Sequence, residues 1–240
     1  MAFSLFISDL HLSPQQPTIL DQLRRFLAGP AKGAERLFIL GDLFDAWIGD
    51  DAITPPISGV VADLKRLSDS GTWIGLMHGN RDFLIGEDFC HQAGCALLDD
   101  PTVTNLYGIP TLLMHGDLLC TGDTAYQRFR DQVRDPAFIA DFLAKPIPER
   151  LALAAEYRRM SGEATSTKPE AIMDVNEGTV QAYLCRHGVR RMIHGHTHRP
   201  NHHPMVIEGE PADRWVLPEW NASQYGFVRA DKDGLSLQIF

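Results

Sequence analysis

The sequence predicts an α/β fold, because short apolar segments of strand length alternate with amphipathic segments of helix length. Five apolar segments are each followed by a polar residue that has Gly or Ser as its neighbour. These polar residues are Asp9, Asp42, Asn80, His115 and His196. In open α/β sheets, ligands bind outside the carboxyl ends of the strands. We therefore expect these five strand ends to meet in one cleft.

The individual elements follow from local patterns. Short apolar runs predict strands at 3–7, 36–40, 72–77, 111–114 and 189–193, and apolar faces predict helices at about 18–27 and 57–68. After residue 200 the pattern favours strands at 205–207, 215–217 and 235–239, separated by turn residues. Pro218 lacks a backbone N–H and suits a sheet edge, which leaves the strand pairing at this point open.

Residues 121–170 interrupt this alternation. Prolines divide the segment into short helical pieces, and one helical face carries Phe138, Ile139, Phe142 and Leu143. We interpret 121–170 as a helical lid over the cleft, inserted into a core formed by 1–120 and 171–240. An alternative stays open, in which the apolar stripe simply belongs to the hydrophobic core.

Composition excludes several classes of protein. The 240 residues include 31 acidic and 22 basic side chains, and a net charge of −9 argues against nonspecific nucleic-acid binding. No apolar run approaches the roughly 18 residues that a membrane span needs, and the first residues do not resemble a signal peptide. Four scattered cysteines without a Cys-x-x-Cys pair are typical of reduced thiols. We expect a cytoplasmic protein.

The polar residues at the strand ends predict a metal centre. They offer carboxylate, imidazole and amide groups without a thiolate, a donor set suited to Mn, Fe or Zn. Seven such side chains are too many for one ion but fit two ions that share a bridging carboxylate. Asp42 is the expected bridge. The candidate ligands are Asp9, His11, Asp42, Asn80, His115, His196 and His198.

The order of these motifs resembles that of the calcineurin-like metallophosphoesterases. The motifs are Asp9-x-His11, Gly41-Asp42-x-x-Asp45, Gly79-Asn80-x-Asp82, His115-Gly116-Asp117 and Gly195-His196-x-His198. The resemblance implies a four-layer α/β/β/α sandwich with a binuclear centre. It also implies that Asp9, His11, Asp42 and His198 hold one ion and that Asp42, Asn80, His115 and His196 hold the other. For Asp45, Asp82 and Asp117 we favour a role in orienting the ligands.

Arg81 narrows the class of phosphoester. Phosphatases and phosphodiesterases of this superfamily usually have His after the Gly-Asn pair, where it can protonate an alkoxide. Arginine stays protonated and cannot act as a general acid at neutral pH, although it can neutralise phosphate charge. A reaction without that acid needs a good leaving group, such as a phosphate monoester. Arg81 therefore favours cleavage of a pyrophosphate.

Longer stretches are similar to the UDP-2,3-diacylglucosamine pyrophosphatases of lipid A biosynthesis, notably 41–51, 78–86 and 193–200. This resemblance covers nearly the whole chain. It implies hydrolysis to UMP and 2,3-diacylglucosamine 1-phosphate, two Mn²⁺ ions, and peripheral residence on the cytoplasmic face of the inner membrane; we expect a monomer. Catalytic roles are implied for Asn80, Arg81 and His196. Substrate contacts are implied for Asn80, Arg81, Asp123, Ser161, Thr165, Lys168 and His196.

Two other functions remain open at this point. Another metal-dependent nucleotide pyrophosphatase or phosphodiesterase could have the same fold, although a water-soluble nucleotide would not need the apolar stripe at 138–143. A non-catalytic interaction scaffold is the second alternative, but all seven ligand positions are filled. Metal content and substrate range would separate these alternatives.

Overall fold

Two β-sheets packed face to face form the centre of the molecule. The structure is a computed structural model that describes residues 2–166 and 174–240, with the side chains of 161–166 outside the description. The strands are β1 (Phe3–Ile7), β2 (Arg36–Leu40), β3 (Trp73–Met77), β4 (Ala96–Leu98), β5 (Thr102–Leu106), β6 (Ile109–Met114), β7 (Arg191–His194), β8 (Asn201–Ile207), β9 (Glu210–Val216), β10 (Gly226–Asp231) and β11 (Gly234–Ile239). The helices are α1 (Pro17–Ala28), α2 (Ile57–Asp69), α3 (Glu87–Ala93), α4 (Thr124–Val133), α5 (Pro136–Leu143), α6 (Ile147–Ser166) and α7 (Glu177–His187).

Each sheet has a parallel centre and at least one antiparallel margin. The first sheet has the order β11-β10-β1-β2-β3-β4, with β1 to β4 parallel and β10 antiparallel to β1. The second has the order β5-β6-β7-β9-β8, with β6, β7 and β9 parallel. The carboxyl ends of the parallel strands lie at one edge of each sheet. The polar motifs come directly after these ends and therefore lie at the same edge.

Successive side chains of a strand point to opposite faces of the sheet, so one face packs against helices and the other against the second sheet. On β1, Leu5 and Ile7 pack among residues of α1 and α2, whereas Phe6 faces the second sheet. Phe6 stacks on Phe38 of β2 with 4.8 Å between the ring centroids. On the far side, the second sheet packs against α7 through residues that include Leu184. The four-layer α/β/β/α sandwich is therefore confirmed.

The structure decides two points about the late strands. β9 lies between β7 and β8, so the strand before Pro218, whose pairing the sequence left open, is interior. The strand ends at Val216, and the N–H of Leu217 donates to the carbonyl of His194 (2.8 Å), so Pro218 interrupts no ladder. The sequence analysis also missed β10. This strand pairs with β1 and β11 and is buried along most of its length, so it lacks a clear alternation.

The segment that follows β6 contains the helices α4, α5 and α6, and α6, with 20 residues, is longer than the short pieces that the prolines predicted. Two arginines of α6 tie it to the core: Arg150 donates to the carbonyl of Ile48 (2.6 Å), and Arg158 pairs with Asp45 at 2.5 Å. Within the stripe on α5, Phe142 is buried in the core beside the first sheet, while Leu143 is exposed. The stripe is thus divided between core packing and solvent.

No helix within 2–166 or 174–240 is long and apolar enough to cross a membrane.

Replacing Phe38 by alanine tests the packing between the sheets. Phe38 is 2% exposed and stacks on Phe6, so we expect the Phe38→Ala variant to lose about 3–5 kcal/mol of unfolding free energy. Phe240→Ala is the matched control, because Phe240 is 57% exposed and should contribute much less. Urea unfolding monitored by circular dichroism measures both values, and equal losses would contradict the assignment of Phe38 to the inter-sheet core.

Candidate metal centre

The five strand ends meet, and hydrogen bonds between their loops fix the arrangement. In the first sheet, the N–H of Asp9 donates to the carbonyl of Gly41 (3.1 Å). In the second sheet, the N–H of Gly195 donates to the carbonyl of His115 (2.8 Å). The two sheets are joined where the N–H of His196 donates to Oδ2 of Asp9 (2.9 Å). The predicted cleft therefore lies where the loops of both sheets face each other.

Five of the seven candidate ligands have left-handed backbone conformations. Their φ angles are 55° for Asp9, 47° for His11, 52° for Asp42, 66° for His196 and 56° for His198. Among the non-glycine residues that the structure describes, the other two with positive φ are Tyr107 and Glu208. This conformation is strained for most side chains and persists only where surrounding contacts enforce it. The strain is concentrated at the positions that would hold metal.

Two glycines allow the loops to approach closely. A Cβ atom on Gly79 would collide with the carboxylate and backbone nitrogen of Asp42. A Cβ atom on Gly195 would collide with the side chains of Ser8 and Asp9. The glycines that precede Asn80 and His196 are therefore required because no side chain fits between the loops.

One group of donor atoms converges around Asn80. Its Oδ1 lies 3.0 Å from Nε2 of His115 and 2.9 Å from Nδ1 of His196. Nδ1 of His115 lies 2.9 Å from the carbonyl of Leu40, to which it can only donate. In the neutral imidazole this leaves Nε2 of His115 with a lone pair directed at an amide oxygen. When Nε2 of His115 has lost its proton, these two acceptor atoms can ligate a cation together.

A second group lies around Asp9. Nε2 of His198 is 3.3 Å from Oδ1 of Asp9 and 3.4 Å from Nε2 of His11. Asp42 lies between the two groups, with Oδ2 3.8 Å from Nδ1 of His11 and Oδ1 3.9 Å from Nε2 of His115. Its two oxygens thus face opposite groups, which is the arrangement a bridging carboxylate requires.

The residues present fit a pair of divalent cations. Oδ1 of Asp9 and Nδ1 of His11 are buried without a hydrogen-bond partner among the described residues. Such atoms are costly unless they are ligands to an ion. Atoms of Asp9, His11 and His198, and of Asp9, Asp42 and His115, lie within 4.8 Å of one another. Oxygen and imidazole donors of this kind suit Mn, Fe and Zn.

Electrostatic coupling keeps protons in the cluster when no metal is bound. Burial raises the pKa of Asp42 to about 7, against the opposing charge of His115. For His115, burial alone would lower the pKa, but the carboxylates of Asp42, Asp117 and Asp9 outweigh it and raise the value to about 9. Burial lowers the pKa of both His11 and His196 to about 4, so these imidazoles are neutral ligands at pH 7.

The three aspartates expected to orient ligands do contact the loops and helices around the cluster. The buried carboxylate of Asp82 accepts from the N–H groups of Gly79 (2.8 Å) and Leu43 (2.7 Å), and thereby joins the loops after β2 and β3. Asp117 accepts from Tyr126 and Arg130 of α4 at 2.8 and 2.6 Å. Asp45, already paired with α6, also lies 3.8 Å from Arg81.

The expected substrate contacts fall into two sets. Asn80, Arg81, Asp123 and His196 all line a cavity of about 610 Å³ next to the metal cluster. One oxygen of Asp123 also caps α4 by accepting from the N–H of Tyr126 (3.0 Å). Lys168 lies outside the described residues, as do the side chains of Ser161 and Thr165. Their substrate contacts stay a prediction.

A smaller, more apolar cavity of about 110 Å³ adjoins the first one beneath α4, α5 and α6. The two cavities share Asn80 and Arg81 on the metal side. They also share Phe129, Phe138 and Tyr157 on the helical side. The site therefore combines a charged cluster that would hold metal with an adjoining aromatic chamber.

Comparisons with known proteins agree with this geometry. The family model for calcineurin-like phosphoesterases matches residues 4–200. A relative from Marinobacter nauticus is 52% identical over 96% of this chain and 94% of its own length. One from Stenotrophomonas maltophilia is 49% identical, with 98% and 97% covered. Both are named UDP-2,3-diacylglucosamine hydrolase.

The chain belongs to the UDP-2,3-diacylglucosamine hydrolase family of calcineurin-like phosphoesterases. Membership confirms both resemblances noted in the sequence and shows that the chain is a hydrolase of the metallophosphoesterase type.

Sequence reasoning missed one residue of this hydrolase site. Oε2 of Glu219 lies 2.5 Å from Nδ1 of His198, whose Nε2 faces Asp9. A carboxylate on the outer nitrogen fixes the tautomer and orientation of a ligating imidazole. In the sequence, Glu219 is simply the residue after Pro218, and Pro218 was considered only for its effect on strand pairing.

Glu219→Ala tests this outer contact. Loss of a carboxylate that orients a ligating histidine typically weakens metal binding about 10- to 100-fold, and we expect Mn²⁺ affinity to fall in that range. Glu208→Ala is the matched control, because Glu208 is an exposed glutamate paired with Arg190 outside the cluster. Calorimetric Mn²⁺ titration of the folded variants gives the result, and unchanged affinity in Glu219→Ala would rule out the role.

Metal binding should depend on pH in a defined direction. The pKa values of Asp42 and His115 are raised to about 7 and about 9, and both groups must lose a proton to act as ligands. Protons therefore compete with metal at low pH, and Mn²⁺ affinity should rise between pH 6 and pH 8. Calorimetry at pH 7 in two buffers of different ionisation enthalpy should detect released protons. A pH-independent affinity with no proton release would contradict this account.

Proposed function

We propose that this hydrolase cleaves the pyrophosphate bond of UDP-2,3-diacylglucosamine and releases UMP and 2,3-diacylglucosamine 1-phosphate in lipid A biosynthesis. The names of the relatives support this substrate. The observation that carries the proposal is the direct opening of the metal cluster onto an aromatic chamber. Such a site suits a substrate whose charged pyrophosphate is attached to an apolar lipid.

Two Mn²⁺ ions are the proposed cofactors, held by the two groups of ligands around Asn80 and Asp9. When bound, such a pair lowers the pKa of water and neutralises phosphate oxygens. Asn80 and His196 contribute fixed dipoles beside the reacting phosphate, in addition to their role as ligands. The N–H of Arg81 donates to Oδ1 of Asp42 (2.8 Å) and keeps the proposed bridging carboxylate in position.

Arg81 has a second role through its guanidinium group. The side chain lines both cavities and lies 3.8 Å from Asp45, so it stands between the cluster and the chamber. There it can hold the phosphate that departs with the lipid. Because arginine stays protonated, the reaction proceeds without a general acid at this position and relies on a phosphate leaving group.

The helical segment 121–170 serves, in this proposal, as a lid that shelters the acyl chains. Phe129, Phe138 and Tyr157 line the chamber from α4, α5 and α6. Asp123, Ser161, Thr165 and Lys168 are the proposed polar contacts to sugar and phosphate. The shelter would exclude water from the acyl chains, which favours binding by the hydrophobic effect.

We further propose that the protein works as a monomer at the cytoplasmic face of the inner membrane. Exposed apolar side chains on α5 and α6 offer a surface for peripheral contact with lipid: Leu143, Ile147, Leu151 and Met160. Such contact would allow the substrate to enter the chamber without leaving the bilayer for water.

UMP release from UDP-2,3-diacylglucosamine tests the proposed function. We expect turnover with Mn²⁺, loss of turnover with chelator, and a fall of about a thousandfold or more in Asp9→Ala and His115→Ala at saturating Mn²⁺, since each removes a ligand. His91→Ala on α3 is the control for histidine removal, because His91 lies outside the cluster. Wild-type turnover in either ligand variant would refute the mechanism. A protein free of metal and inactive would favour the scaffold alternative.

The lid can be tested separately from the chemistry. Phe129 and Phe138 line the chamber, so replacing both by Asp should abolish lipid-substrate hydrolysis and spare a small phosphodiester such as bis(p-nitrophenyl) phosphate. Phe142 also lines the chamber, but it is only 5% exposed and packs in the core, so Phe142→Asp is expected to reduce both activities through loss of stability. Equal loss on the two substrates in the double variant would assign Phe129 and Phe138 to the core.

A further inference from the structure

A third cavity adjoins the loop that carries His196 and His198. Its volume is about 320 Å³, within the range of small-molecule sites. Polar and charged side chains dominate its lining, in contrast to the aromatic chamber. The lining residues are Asp174, Thr197, Arg199, Pro200, Asn201, His203, Arg214 and Val216.

Arg214 distinguishes this cavity from an ordinary surface depression. The side chain is 8% exposed, and no carboxylate in the described part of the chain forms an ion pair with it. Its Nη1 donates to Nε2 of His194 (3.0 Å), and its Nε is buried without a partner among the described residues. By contrast, the other arginine of the cavity, Arg199, pairs with Asp174 at 2.5 Å. A buried guanidinium with no counter-charge is costly unless a ligand supplies acceptors.

Arg214 is also tied to the metal loop. The imidazole of His194 is fully buried, and its Nδ1 donates to the carbonyl of Gly195 (2.8 Å). His194 therefore presents an unprotonated Nε2 to the guanidinium and fixes it beside the loop. Thr197, which lies between two candidate ligands, has a buried hydroxyl without a partner among the described residues and also lines the cavity.

The three cavities form a continuous series. The aromatic chamber and the metal-site cavity share Asn80, Arg81 and Phe129 among their walls. The metal-site cavity and the polar cavity share Thr197 and Arg199. From the lid outward the order is therefore apolar, metal-binding, polar. The proposed substrate has the same order: acyl chains, pyrophosphate and nucleoside.

We propose that the polar cavity binds the uridine part of the substrate, with Arg214 and Thr197 as the residues that recognise it. The assignment rests on the proposed function and adds to it a nucleoside-binding site. Uracil offers two carbonyl acceptors on either side of an N–H donor. The guanidinium of Arg214 and the hydroxyl of Thr197 can supply donors, and the amide of Asn201 or the Thr197 oxygen can accept from the N–H.

Competition by two phosphate monoesters tests this site in the Mn²⁺-loaded protein. UMP and ribose 5-phosphate both offer a phosphate to the metal cluster, but only UMP has a base. In the wild-type protein we expect UMP to inhibit at a concentration at least about tenfold lower, the difference that a charged hydrogen bond provides. In Arg214→Gln and Thr197→Val this preference should shrink towards equality while inhibition by ribose 5-phosphate stays the same.

Arg191→Gln is the matched control, because Arg191 lies on neighbouring β7, pairs with Asp213 and does not line the cavity. Its preference for UMP should equal that of the wild type. If Arg214→Gln and Thr197→Val both keep the preference while the wild type hydrolyses UDP-2,3-diacylglucosamine, the nucleoside site is refuted and the proposed function stands. Equal inhibition by the two esters in the wild type also refutes the site.

If the wild type does not hydrolyse UDP-2,3-diacylglucosamine, the proposed function is refuted, and the nucleoside site is tested by ligand binding instead. Calorimetry with UMP and ribose 5-phosphate then replaces the competition assay. A preference for UMP that Arg214→Gln removes would support the nucleoside site even so, and the absence of such a preference would refute it.

Discussion

The burial of two carboxylates, Asp9 and Asp42, among four imidazoles is the constraint on which the rest of the structure depends. Neither carboxylate is more than 2% exposed, and removing such charges from water costs several kcal/mol each unless cations replace the water. Among the imidazoles, His115 can carry a compensating charge, since its pKa is raised to about 9, whereas burial keeps His11 and His196 neutral. The arrangement therefore suits a site that binds divalent cations.

This constraint accounts for the backbone around the cluster. Five candidate ligands adopt positive φ angles, and two glycines permit contacts that any side chain would block. These conformations are retained because Asp82, Asp117 and Glu219 hold the loops and imidazoles through their own hydrogen bonds and ion pairs. The two sheets supply the rigid frame, since strand ends in a close-packed sandwich cannot drift apart independently.

The surroundings of the cluster divide according to polarity. On the side of α4, α5 and α6, aromatic side chains enclose an apolar chamber, and Arg158 holds α6 against the loop after β2. On the side of β8 and β9, polar groups surround the unpaired guanidinium of Arg214. The loop at 195–198 borders both the metal-site cavity and the polar cavity, which share Thr197. A substrate with unlike ends would therefore bind in one orientation, with its central phosphates at the metal cluster.

The sequence by itself determined the parallel strands, the polar groups at their ends and the α/β class. These depend on local patterns: a buried strand is an apolar run, and a ligand loop follows it within two or three residues. It also predicted the helices after β6 from their prolines.

Only the tertiary structure decided that β10 joins the first sheet and that β9 is interior, because pairing partners distant in sequence determine both. The partners of Glu219 and Arg214 are likewise set by tertiary contacts, since His198 and His194 lie about 20 residues earlier in the chain. A single charged residue at such a separation carries no local signal of its partner, and only the packing of the loops brings the two together.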